Sequence, residues 1–170
     1  PRAGYYLYKI PNIKDDDDKL QISELSLPAG IGELLCVSRK LGLAFFGTKT
    51  DPFLTIFNTK TSKIETSFHH NSIITAATVV AGRYLITGGS DCTLYVWDLE
   101  STTRKKPISS SGFHSDSVTS IGCCYENGLL VSADSSSTLV FETLIDHVFI
   151  ASVSIEKICG RRKRATTFKK

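Results

Sequence analysis

The chain has 170 residues, 41% of them apolar, which suits one folded domain with a sizeable core. Its formal charge of +3 is too small to imply a nucleic-acid or membrane partner. Five cysteines with no Cys-x-x-Cys pair argue against a disulfide framework or a zinc site, and fit buried thiols in a reducing compartment.

No apolar run reaches the ~20 residues that a membrane helix needs. The longest, Ile73 to Gly82, is interrupted by threonines. The start, PRAGYYLY, lacks a signal-peptide core, and methionine is absent, so the chain reads as an internal or C-terminal piece of a longer protein.

Short β-branched and aromatic runs dominate, each bounded by Gly, Asn, Asp or Ser. In chain order, Tyr5–Ile10 and Leu20–Leu25 read as two strands flanking the acidic loop Asp15–Asp18. A calcium loop wants spaced ligands and a glycine, so this run is expected to be a solvated loop. Leu34–Val37, Ala44–Gly47, Phe53–Phe57 and Ile64–Phe68 follow as four strands. Ile73–Val80, Arg83–Thr87 and Thr93–Leu99 form a further set, with its outer strand inside TTRKKPISSSG. There Lys105, Lys106 and Pro107 guard an edge against pairing. Val118–Cys124, Leu129–Ala133, Thr138–Leu144 and Val148–Ser154 complete the series.

The chain also repeats itself. GRYLITGGSDCTLYVWDL, from Gly82, returns as NGLLVSADSSSTLVFETL, from Asn127, an offset of 45. TDPFLTIFNT, from Thr50, lies over SDCTLYVWDL, from Ser90, at an offset of 40. Such spacing marks stacked small sheets whose faces are buried only against their neighbours. Runs such as LYVW and TIF alternate poorly between apolar and polar, as expected where both sheet faces are covered.

The best repeat carries His69, Thr87, Asp91 and Trp97, and on these residues it resembles the WD-repeat family of β-propellers. The resemblance implies an all-β propeller of about three blades plus a partial one, part of a larger ring. It also implies that the four residues form a buried hydrogen-bond chain tying turn to loop. The next unit keeps His114 and Ser132, but Ser136 stands at the Asp position and Glu142 at the Trp position. Its chain is therefore expected to be incomplete and its blade less rigid. Upstream, Asp51 and Phe57 match, while His and Ser counterparts are not evident. The expected divisions are a partial blade over 1–28, a degenerate blade over 29–68, the best-formed blade over 69–113, a degenerate blade over 114–158 and a basic tail over 159–170. Propellers close with 4–8 blades of about 40–45 residues, so 170 residues sit at the floor of that range.

The stretch from Phe113 to Leu144 is further similar to the closing repeats of BEACH-domain proteins, the neurobeachin and lysosomal-trafficking-regulator group. His114, Asp116, Val118, Thr119, Leu130, Val131, Ser132, Thr138 and Leu144 carry that similarity, with Glu142 where the group has His. It implies a cytoplasmic trafficking scaffold, peripheral to membranes, with a BEACH module upstream and other proteins as partners.

No enzyme is expected. His114, Ser115 and Asp116 are adjacent and cannot form a nucleophile–base–orienter geometry, and no Gly-x-Ser-x-Gly elbow occurs. His69 and His70 point apart on a strand with no ligand set, so no metal is expected, and no phosphate-cradling loop implies a cofactor. The tail holds Arg161, Arg162, Lys163 and Arg164. It is the one charge asymmetry, and the alternative reading is an RNA- or nucleic-acid-associated factor using it.

Overall fold

The computed structural model describes residues 27, 30–101 and 106–155. The expected strands Tyr5–Ile10 and Leu20–Leu25, the acidic run and the basic tail lie outside them.

Among the described residues, twelve strands form three four-stranded antiparallel sheets, each a meander of consecutive strands. Blade I contains β1 (Glu33–Ser38), β2 (Leu43–Gly47), β3 (Phe53–Asn58) and β4 (Lys63–His69). Blade II contains β5 (Ile74–Val80), β6 (Tyr84–Gly89), β7 (Leu94–Asp98) and β8 (Ser109–Ser111). Blade III contains β9 (Val118–Cys124), β10 (Leu129–Asp134), β11 (Thr138–Thr143) and β12 (Phe149–Ser154). The first strands of successive blades lie against one another, so β1, β5 and β9 form the inner wall and β4, β8 and β12 the outer rim.

The core is divided between the blade seams. Phe45, Leu54, Ile56 and Phe68 of blade I meet Leu85, Tyr95 and Trp97 of blade II. Val80, Ile86, Leu94 and Val96 on the other face of blade II meet Val118, Leu130 and Leu144 of blade III. A third cluster, Ile31, Ala44, Phe46 and Phe57, covers the far face of blade I.

These seams explain the missing alternation. Every residue of β2 is buried, as is all of β6 after Tyr84, because both faces are covered. Blade III departs from the expectation. In β10 buried and half-buried residues alternate, since among the described residues only one face has a neighbour. Leu129, Val131, Ala133, Leu139 and Phe141, on the other face, stay half-exposed.

Two glycines let the blades approach. A side chain at Gly88 would collide with Val118 of blade III, so the bare backbone admits the next inner strand. A side chain at Gly89 would occupy the space taken by the Asp91 carboxylate, the Ser72 hydroxyl and the His70 ring.

Candidate functional site

Buried polar groups concentrate where each blade meets the one before it. In β6 and β7, alternate residues share a face. Leu85, Thr87, Tyr95 and Trp97 therefore all look toward blade I, and register sets Trp97 opposite Leu85 and Tyr95 opposite Thr87. From there the Trp97 indole N–H donates to Thr87 Oγ1 at 2.9 Å. Burial of both groups makes that bond obligatory.

The histidine of this cluster is His70, which corrects the assignment to His69. His69 ends β4 with an exposed side chain, its ring edge-on to Phe53. His70 is 1% exposed and its ring lies 4.4 Å from that of Tyr95, edge to face. The error has a local cause. The turn joining the first two strands is Ala81–Arg83 in blade II and the longer Tyr125–Gly128 in blade III. Before that turn the blades correspond at an offset of 44 (70 to 114), and after it at 45 (87 to 132). Carrying 45 back through the turn lands one residue early.

Asp91 sits at the opposite end from the indole. Its carboxylate accepts from the Tyr95 hydroxyl at 3.1 Å and from the Thr93 amide at 3.3 Å. Its own amide donates to Ser72 Oγ, and Asn71 donates to Tyr95. Burial pushes the Tyr95 phenol upward in pKa. The amide of Ser72 donates to His70 Nδ1, so the ring proton belongs on Nε2, which is buried without a partner among the described residues. Burial lowers the pKa of His70, the nearby Asp91 charge opposing it. Among the described residues, then, the expected four-residue chain is two separate halves, Trp97–Thr87 and His70–Ser72–Asp91–Tyr95.

Blade III reverses the pattern. Its expected incomplete chain, resting on His114 and Ser132 alone, is corrected by a residue that the repeat alignment passed over. His114 Nδ1 lies 3.1 Å from Asp134 Oδ2, and Nε2 lies 2.6 Å from Ser132 Oγ. A carboxylate only accepts, so Nδ1–H donates to Asp134 and the Ser132 hydroxyl donates to Nε2. Asp134 stands at the position of Gly89 and sends its carboxylate where Asp91 sends its own. Ser136, at the Asp91 position, becomes a donor: its amide and hydroxyl both bond Asp134 Oδ1, as does the Thr138 amide. Burial would raise the pKa of Asp134, but these bonds and His114 outweigh it and hold the carboxyl down at about 2. One signal was legible, because Ser132-x-Asp134 puts both side chains on one strand face.

Glu142 occupies the place of the indole and is fully buried. The Ser111 hydroxyl of blade II donates to Oε1 at 3.1 Å, and His147 Nδ1 lies 3.0 Å from Oε2. The replacement therefore joins the outer strand of one blade to the next. In blade I the matching positions are apolar, with Leu27, Ile31, Phe46 and Phe57 packed together. Asp51 lies exposed in its own loop, held by Thr48 and Thr50.

Outside the seams, Asp98, the acid of the Trp-Asp pair, accepts from Nη2 and Nε of Arg83 at 2.8 and 3.2 Å. Those bonds lower the pKa of Asp98. Among the described residues no group of three or more potential metal ligands occurs. No helix there is long and apolar enough to cross a membrane.

No protein-family model matches the chain, and no curated protein does. Among solved structures it is similar to the computationally designed Ika8 protein, with a TM-score of 0.63 and 18% identity over 77% of this chain and 40% of that one. It is also similar to a chain of the Mitotic Checkpoint Complex, with a TM-score of 0.60 and 16% identity over 72% of this chain and 38% of that one. The chain thus spans about two fifths of the length of the structures it matches. At such identities the likeness shows fold alone. The molecule is an all-β protein of the β-propeller class, seen here as three adjacent blades.

Proposed function

We propose that the chain is a non-catalytic WD-repeat scaffold that presents its loops and turns to other proteins. The observation that carries this reading is the use made of the polar groups. Ser132, His114 and Asp134 have the order of a nucleophile, a base and an orienting acid, yet Ser132 is 1% exposed and all three are buried. Each group serves to hold a turn against a loop, and none opens to a substrate.

Within that reading, the similarity of the Phe113–Leu144 stretch to the closing repeats of BEACH-domain proteins favours a cytoplasmic scaffold in vesicle or lysosome trafficking. The test is affinity capture with the immobilised chain, beside assays of ester and peptide hydrolysis. A stoichiometric protein partner, with hydrolysis no faster for the wild type than for Ser132→Ala, is the expected result. Hydrolysis abolished by that substitution would overturn the scaffold reading. Binding to RNA that falls steeply with salt and is lost without residues 161–170 would favour the nucleic-acid alternative.

A further inference from the structure

In each blade the turn from the first strand to the second and the turn from the third to the fourth emerge on one side of the molecule, and the charge on that side is uneven. Blade I presents Arg39 and Lys40 between β1 and β2, then Lys60 and Lys63 at the β3–β4 turn, all exposed. Two of these side chains are laid down in fixed places. The Lys60 stem lies across Gly42, and the Lys40 stem lies across Gly82 of blade II. Both glycines have left-handed φ, +68° and +66°, and a side chain at either would meet the lysine. Lys40 Nζ also donates to Ala81 O at 3.3 Å. The stems are thus packed along a line from the rim of blade I to the inner turn of blade II, with their charges outward.

Further along the same side the sign changes. Arg83 is occupied by Asp98 and Glu100, Lys106 is the exposed cation described in the β7–β8 connection, and blade III presents exposed Glu126 and Asp146. A flat anionic surface such as a membrane would meet these acids as well as the lysines. A narrow acidic ligand would meet the lysines alone.

We propose that Arg39, Lys40, Lys60 and Lys63 form a docking stripe for an acidic, extended segment of a partner protein. Packing of the two lysine stems over glycine reduces the rotamer freedom lost on binding, which a solvated lysine would forfeit. The stripe's failure to bind would leave the propeller scaffold reading intact, since that reading rests on the buried seams.

The test uses the full chain and a fluorescein-labelled deca-glutamate peptide, with fluorescence anisotropy read at rising salt. Binding is expected at low salt and should weaken as salt increases. Lys40→Met with Lys60→Met keeps the stems and removes the charges. This pair should weaken binding by about tenfold while leaving thermal stability unchanged. Lys49→Met, on the opposite side of blade I, should leave binding unchanged. If the paired substitution has no effect, or if binding is instead lost on neutralising Arg161, Arg162, Lys163 and Arg164, the proposal fails. Equal or tighter binding to phosphatidylserine vesicles, sensitive to the same two lysines, would replace the acidic segment with a membrane.

Discussion

In blade II the carboxylate at the end of the seam comes from Asp91, within the β6–β7 turn, and crosses space left empty by Gly89. In blade III it comes from Asp134, inside the strand and at the position of that glycine. The two aspartates deliver the same group to the same place from different points on the chain. What the architecture holds constant is a carboxylate at a location, not an acid at a sequence position. The histidines then take opposite tautomers. His114 gives its Nδ1 proton to Asp134 and accepts from Ser132, whereas His70 accepts at Nδ1 and leaves Nε2 buried and unpartnered among the described residues. The unit with the fuller Trp-Asp signature therefore has the interrupted network.

The sharpest way to break this comparison is at the indole position. Trp97→Ala removes a large buried ring and its bond to Thr87, and should cost about 3–5 kcal/mol in urea unfolding. In a blade with an incomplete chain, as the sequence implied, Glu142→Ala would cost much less. Its full burial and two partners change that expectation, because removing it leaves His147 and Ser111 unpaired in the seam. A cost of about 3 kcal/mol is expected. Glu142→Gln, which still accepts from Ser111, should cost about 1 kcal/mol. A negligible effect of Glu142→Ala would mean that blade III does not depend on its seam.

The equivalence of the two carboxylates can be tested by transplant. Gly89→Asp alone forces two carboxylates into one place and should cost about 2 kcal/mol or more. Adding Asp91→Ser reproduces the blade III arrangement and should recover most of the loss, visible as strong coupling in a double-mutant cycle. Additive effects would show that the two aspartates do not share a site.

A smaller effect concerns pH. His70 has a lowered pKa in the fold, so the unfolded chain binds its proton first as pH falls through the usual value of 6.5. Stability should therefore decline below pH 6.5, and His70→Phe should flatten that part of the profile. Asp134, held at about 2 against an ordinary 3.8, adds a separate loss between about pH 4 and pH 2. Asp134→Asn should remove this second loss only. Smallest of all, burial pushes the Cys36 thiol up to about 12, so it should resist alkylation at pH 8 while exposed Cys124 reacts.

Much of the fold was legible in the residues. β-branched and aromatic runs between turn formers marked eleven of the twelve described strands, and the repeat spacing grouped them into three stacked units and required the twelfth, β8, inside TTRKKPISSSG. Local chemistry and period are written in the chain itself. The histidine was misplaced because a one-residue difference in turn length shifts register without changing the look of the motif. Asp134 was missed because alignment compares positions, whereas a hydrogen bond compares places.

The order of the described strands and their grouping follow from the sequence, since they rest on local chemistry and repeat spacing, and the Trp97–Thr87 pair follows from the resemblance to WD repeats. Three matters were decided by the tertiary structure. They are which histidine is buried, which acid meets it, and that among the described residues blade III has one covered face while blades I and II have two. Each depends on what a neighbouring blade brings to the seam. That information is spread over residues tens of positions apart, and only packing brings it together.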